Sequence, residues 1–482
     1  MLFNSLDFAL FLPLVFTLYW TLSRFGTRFQ NSIIVVASYV FYGWWDWRFL
    51  TLILFSTVVD YSVGILMSKE TKESRRKGLL WLSILVNLGL LGFFKYSNFF
   101  IENFISAFTV FGSSISISSL NIILPVGISF YTFQTLSYSI DIYRKKLEPT
   151  KDFVSFCAFV SFFPQLVAGP IERATNLLPQ FYHKRTFNYE SAVNGMRQIL
   201  WGLVKKMVIA DNAAVLANEI FNNSESLPGS ALALGAIFFT FQIYGDFSGY
   251  SDIAIGTARL FGFNLMQNFA FPYFSRDISE FWRRWHISLS TWFRDYVYIP
   301  LGGSRGSSIQ NVRNVFAIFL ISGFWHGANW TFIFWGGLNA LYFLPLLLAK
   351  RNRIHTNHVA EGRIFATFKE IGQIVFTFSL SVFAWIFFRA ENLTHAFDFI
   401  SGMFSPSLFS FPPILDKNDT LICLISIGVF IIIEWLGREG QFAIDNLLNK
   451  WPRVLRYAFY YALIIGIIML AGEEQEFIYF QF

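Results

Sequence analysis

The chain has 482 residues, of which 54% are hydrophobic, 20% aromatic and only 14% charged, with a formal net charge of +6. Soluble domains carry roughly 25% charged residues, so this composition excludes an ordinary soluble enzyme and indicates an integral membrane protein. The positive balance reads as basic cytoplasmic loops, and no nucleic-acid-binding motif accompanies it.

Apolar runs of the length that crosses a bilayer, about 17–25 residues, lie near 8–23, 32–47, 49–67, 79–94, 123–142, 207–221, 231–247, 315–349, 368–388, 421–436 and 457–472. The first, Phe8 to Leu22, has no basic segment before it and no small-residue cleavage site after it. It reads as a retained span rather than a signal peptide. Basic residues cluster at Arg24 and Arg28, Lys69 to Lys77, Arg144 to Lys146, Lys350 to Arg353, and at Arg438, Lys450, Arg453 and Arg456. Loops 97–122 and 221–230 have none, and 404–420 has only Lys417. The positive-inside rule places the first set in the cytoplasm and the second outside, with both chain ends outside.

Three stretches depart from this zigzag. Residues 153–171 have basic residues beyond both ends and contain Pro164, Gly169 and Pro170, so a broken or re-entrant segment is expected. Residues 315–349 are too long for one crossing and barely long enough for two, which predicts a kinked hairpin near Gly327 or one crossing plus a re-entrant piece. Residues 266–306 interleave aromatic and charged side chains at roughly helical spacing, as in an amphipathic surface helix or the wall of a cytoplasmic entrance. There Arg283, Arg284 and Arg294 are candidates to meet an anionic acyl donor. The expected fold class is all-α: one polytopic domain over 1–482, with about 10–12 crossings plus re-entrant and interfacial helices.

The most informative residue is His326, within Gly323-Phe-Trp325-His326-Gly-Ala-Asn329-Trp330. Between Arg313 and Lys350 there is no Lys, Arg, Asp or Glu, and only Tyr342 joins it as a titratable side chain. An ionisable residue at membrane depth is costly, and imidazole is the usual general base near neutral pH. The sharper reading is therefore a catalytic base inside the membrane. The plain alternative is a buried histidine satisfied by a carbonyl.

Asp246 and Asp252 lie in the glycine- and serine-rich stretch Tyr244 to Gly256 and should be paired, either lining a reaction chamber or forming a structural polar network. The last residues, 477–482, form an aromatic tail. It reads as an interfacial anchor, although a phenol such as Tyr479 can also carry an acyl group. Gly302 to Gly306 has nucleophile-elbow spacing without the strand and helix that motif requires. No metal-ligating His/Cys cluster is present, His395 reads as a solvated loop residue, and Cys157 and Cys423 cannot form a disulfide framework.

Four blocks in order resemble the membrane-bound O-acyltransferase superfamily: Phe163 to Arg173, Gly245 to Asp252, Phe281 to His286 continuing to Gly303, and Phe324 to Gly327. The pattern covers nearly the whole chain and is most similar to the bacterial branch that includes the membrane subunit of alginate O-acetylation and the D-alanyl transferase of teichoic acid. The resemblance implies a helix bundle around a central funnel or tunnel, with His326 as catalytic histidine and His286 as a second recurring histidine. On that reading His326, held neutral by desolvation, would take a proton from an acceptor hydroxyl that attacks a thioester, with Asn329, Trp325 or backbone N–H groups stabilising the oxyanion. It also implies no bound cofactor, acetyl-CoA or another thioester as cytoplasmic donor, and a bacterial inner-membrane location. An extracytoplasmic partner of the SGNH-hydrolase type would modify a polysaccharide acceptor, with Tyr479 as acyl relay. D-alanyl transfer from a carrier protein is the close alternative. A proton-coupled transporter using His326, Asp246 and Asp252, or a secretion scaffold, is the alternative of another class.

Overall fold

The computed structural model describes residues 1–110, 120, 122–167, 169–412, 417–449 and 451–480. Lys450 of the last basic loop, Gln481 and Phe482 of the tail, and parts of loops 97–122 and 404–420 lie outside the described residues. Every described element is helical. Seven helical runs among them are long and apolar enough to cross a membrane: Thr27–Lys69, Glu73–Thr109, Gly229–Leu260, Trp330–Leu348, Phe368–Arg389, Lys417–Gly437 and Arg453–Leu470. The all-α, multi-pass expectation therefore holds. Asp46 interrupts the first run, its backbone extended and its carboxylate accepting from the Arg48 N–H at 2.9 Å. The stretch after residue 97, expected as an outward loop, continues as helix Ser97–Val110. It contains no Pro or Gly before Val110, so nothing in its backbone ends the helix there.

The described residues form two compact units, Met1–Val193 with Thr257–Met266, and Asn194–Gly256 with Gln267–Phe482. In the first unit, buried polar groups satisfy one another, as apolar surroundings require. Asp60 accepts from Ser83 Oγ at 2.5 Å, Asn87 Nδ2 at 2.9 Å and Ser139 Oγ at 3.2 Å. Arg185 donates to Tyr19 Oη and Asn31 Oδ1, both at 2.6 Å, and lies over the Phe263 ring. The break predicted for 153–171 is present: helices Phe153–Ser161 and Phe163–Leu166 are separated at Phe162. Ile171 and Glu172, in the irregular backbone beyond, are fully buried. Glu172 accepts from Met266 N at 2.6 Å and Asn176 Nδ2 at 2.7 Å.

In the second unit the run 315–349 is a helical hairpin, the first of the two expected forms. Helix Ser308–His326 ends in Gly327, and Asn329 opens helix Trp330–Leu348. Each has 19 residues, about 28 Å at 1.5 Å per residue. The two backbones touch at glycines: a Cβ on Gly323 would collide with the Phe332 carbonyl, and one on Gly336 with the Phe319 carbonyl. Glycines also explain how helix Gly229–Leu260 packs. Gly249 meets the Gly202 carbonyl and Gly245 the Lys205 carbonyl, so close approach is their role and the helix stays continuous.

Residues 266–306 differ from the expected amphipathic surface helix. They form short pieces, Pro272–Phe274, Ile278–Arg284, Ile287–Phe293 and Arg294–Tyr298. Asp277 caps the second piece by accepting from Glu280 N, and His286, with a left-handed backbone of φ 43°, opens the third. Phe281, Trp285, His286 and Leu289 are buried, so the aromatic residues build a core. His395 likewise lies in helix Leu393–Met403, near Ser224 Oγ at 3.2 Å, rather than in a loop.

Candidate active site

Three elements of the second unit bring their chemistry-bearing residues together. His326 is the last residue of helix Ser308–His326 and is 3% exposed. Its ring lies against Trp325 at 4.9 Å, Trp335 at 5.2 Å and Phe388 at 5.3 Å between centroids. His286 sits 6.5 Å away, and Tyr479 comes down from the chain end to 5.6 Å from His326 and 6.5 Å from His286. Apolar rings pack against them, among them Phe247 at 4.6 Å from His286 and 4.5 Å from Tyr479. Two imidazoles and one phenol thus share an enclosed aromatic compartment.

Hydrogen bonds hold the tail that carries Tyr479. Gly472 N donates to Met207 O at 3.0 Å, and Lys206 Nζ donates to Gln475 O at 2.8 Å. Asp246 Oδ2 accepts from Ile478 N at 2.6 Å, while the Phe477 ring packs at a tilt against Tyr250, 4.5 Å between centroids. Phe477 and Ile478 are buried. The described tail is therefore seated on this unit through Phe477 and Ile478, with Tyr479 half-buried beside them. Burial, reinforced by the Asp246 charge, pushes the Tyr479 phenol well above its usual pKa.

The two aspartates lie in a polar network with partners that hydropathy does not reveal. A π-helical turn, Val204–Ala210, turns the adjacent Lys205 and Lys206 inward. Lys205 pairs with Asp252 at 2.9 Å and Glu434 at 3.4 Å, and Lys206 with Asp211 at 2.7 Å and Asp246 at 2.9 Å. Tyr244 Oη donates to Glu434 at 2.7 Å, and Gln198 Nε2 to Asp252 at 2.8 Å. Asp246 reaches the site through the tail, and Asp252 belongs to the pairing network. Lys205, Lys206, Asp211 and Glu434 went unnoticed in sequence because they stand singly or as one adjacent pair within otherwise apolar runs. A lone charge in such a run is the signal that could have found them.

The other candidates divide. Trp325 packs on both histidines, 4.9 Å from His326 and 6.3 Å from His286. Asn329 caps helix Trp330–Leu348 by accepting from Thr331 N at 3.0 Å, and its Nδ2 donates to Glu391 O at 2.7 Å. Arg283 donates to the carbonyls of Asn352 and His355, and Arg284 to Glu280 and the Asn357 carbonyl. These two arginines tie down the basic loop after Leu348. Arg294 is exposed and, among the described residues, pairs with neighbouring Asp295 at 2.7 Å. Among the described residues no group of three or more His, Cys, Asp or Glu could hold a metal ion.

Residues 41–390 match the profile of the membrane-bound O-acyltransferase family. The chain belongs to the membrane-bound O-acyltransferase family. It is a multi-pass membrane O-acyltransferase. A probable alginate O-acetylase from Pseudomonas aeruginosa is 44% identical over 94% of this chain and 84% of its own length. A peptidoglycan O-acetyltransferase from Helicobacter pylori is 37% identical over 84% of this chain and 80% of its own. A teichoic acid D-alanyltransferase from Streptococcus thermophilus is 31% identical over 44% of this chain and 54% of its own. The profile spans the described compartment except for its tail, which begins beyond residue 390.

Proposed function

We propose that this acyltransferase moves an acetyl group from a cytoplasmic thioester, acetyl-CoA, to an extracytoplasmic carrier that O-acetylates a cell-envelope or exported polysaccharide. The convergence of His326, His286 and Tyr479 in one aromatic compartment carries this reading. His326 acts as general base and takes the proton of the Tyr479 hydroxyl, whose raised pKa means it needs one. The phenolate oxygen attacks the thioester carbonyl, a C–O bond forms, and the C–S bond breaks. The departing thiolate recovers the proton from the imidazolium. The C-terminal end of a helix favours that imidazolium by about 0.3–1 kcal/mol. In a second transfer a hydroxyl of an SGNH-type partner takes the acyl group from Tyr479, releasing the phenol.

Trp325 shapes the chamber, Asp246 seats the relay tail, and Asp252 with Lys205 stiffens its wall. Arg294, with Arg283 and Arg284 behind it, forms the cationic approach for the donor's phosphates at the cytoplasmic side of a bacterial inner membrane. Acetyl is preferred to D-alanyl because the acetylating relatives align over most of the chain and the alanylating one over less than half. The test is transfer from radiolabelled acetyl-CoA to purified protein in nanodiscs, comparing wild type, His326→Ala and Tyr479→Phe. Label on wild type and on neither variant supports base and relay. Label persisting on Tyr479→Phe places the acyl site elsewhere. No label on any variant, with acceptor and partner added, rejects acetyl-CoA as donor.

A further inference from the structure

We infer that Asn268 is a positioning residue that fixes His286 as its Nδ1–H tautomer and leaves Nε2 as the proton-accepting atom of the second histidine. Asn268 is fully buried, and its amide orientation is set by donors that have no choice. Its Oδ1 receives the Ser288 backbone N–H at 3.3 Å, and a backbone N–H can only donate. The atom facing Ser288 is therefore the oxygen, and Nδ2 points the other way, to Ser251 Oγ at 3.0 Å. The same oxygen stands 3.0 Å from His286 Nδ1 and accepts Ser288 Oγ at 2.8 Å. A contact between Nδ1 and an acceptor oxygen requires the proton on Nδ1. In the neutral ring Nε2 then carries the lone pair, and Nε2 has no hydrogen-bond partner among the described residues.

The backbone supports the same arrangement. His286 holds a left-handed φ of 43°, a conformation that strains a non-glycine residue. The clamp that holds it is again Asn268, whose carbonyl accepts Ile287 N at 2.9 Å. Around the ring the titratable neighbours are His326 from its helix and Tyr479 from the tail, while Phe247, Phe269 and Trp325 fill other faces. Burial lowers the pKa of His286 to about 3, so in the wild type its Nε2 stays an acceptor throughout the neutral range.

This inference rests on the proposed function, namely that the two histidines serve acyl transfer. The experiment is the pH profile of acetyl transfer by the full chain in nanodiscs for wild type, Asn268→Asp, Asn268→Leu, His286→Ala and His326→Ala. Thermal unfolding verifies that each variant is folded. Asn268→Asp keeps the shape but faces Nδ1–H with a carboxylate, which favours the imidazolium. Its acid limb is expected to move up by at least one pH unit, because activity that needs a free Nε2 is lost as pH falls through the raised pKa. Asn268→Leu should lose at least tenfold in kcat with KM changed less than twofold. An Asn268→Asp profile that overlays the wild type, or full kcat in Asn268→Leu, overturns the inference. If both histidine variants remain fully active, the underlying reading fails instead. If Asn268→Leu does not fold, the Asn268→Asp profile decides alone.

Discussion

Replacing Asp246 should release the C-terminal segment from its seat. The carboxylate accepts the Ile478 N–H at 2.6 Å and pairs with Lys206 at 2.9 Å, and Ile478 is only 1% exposed. In Asp246→Leu a buried N–H loses a charged acceptor, a bond that contributes about 1.5–3 kcal/mol and whose loss leaves the donor desolvated. Lys206 keeps Asp211 at 2.7 Å and the Gln475 carbonyl at 2.8 Å, so its charge is weakened rather than orphaned. A total of about 2–4 kcal/mol follows, or roughly 30- to 700-fold in the docked-to-undocked ratio. Asp246→Asn retains a neutral acceptor and should lose about half of that, since charge-assisted bonds are roughly twice as strong as neutral ones. Carboxypeptidase trimming of the chain end in detergent micelles, followed by mass spectrometry, reads the undocked fraction. Trimming should accelerate in the order wild type, Asn, Leu, with acetyl transfer declining in the same order. A Leu variant that is folded and trimmed at the wild-type rate would refute the idea that Asp246 seats the tail.

Other consequences are equally direct. Gly336→Ala should lower the thermal midpoint by overpacking the hairpin, at a cost of about 1–3 kcal/mol. Gly337→Ala, which meets only Leu320 Cδ2 at 3.6 Å, should not, and equal shifts in the two variants would contradict the packing argument. Arg294→Ala should raise KM for acetyl-CoA several-fold without loss of stability. Arg283→Ala should mainly lower the thermal midpoint, because its guanidinium holds the carbonyls of Asn352 and His355. Burial raises the Glu172 carboxyl to about 7 from an unfolded value near 4.5. The folded state therefore binds more protons between those values, and this stability contribution is lost as pH rises toward 7 and beyond. Unfolding midpoints measured from pH 5 to 8 should fall less steeply in Glu172→Gln than in wild type, and parallel slopes would count against it.

How far the sequence could be read depends on whether a property is local. Helix and solvent were legible because hydropathy sums along the chain: most of the apolar runs and the break near Pro164 appear where the pattern puts them, whereas 8–23, 123–142 and 207–221 form shorter or interrupted helices. His326 was legible because it stands alone between Arg313 and Lys350. The hairpin at Gly327 was legible only as one of two forms. Choosing it required the contacts at Gly323 and Gly336, where two backbones meet that the sequence separates by the turn. The stretch 266–306 misled because aromatic and charged residues at helical spacing fit a surface helix. A left-handed His286 and the Asp277 cap instead fold that stretch into short buried pieces.

By itself, then, the sequence determined the solvent, the helical class, the family blocks and the isolated histidine, all of which depend on residue type and near neighbours. Tertiary structure alone decided that Lys206 meets Asp246 and Asp211, that Asn268 meets His286, and that Tyr479 lies beside both histidines. The Asp246–Ile478 bond spans 232 positions. No local pattern encodes such a pair, because it depends on which helix faces are brought together. In apolar surroundings an unmet polar group is costly enough that those pairings, once the faces meet, are strongly favoured.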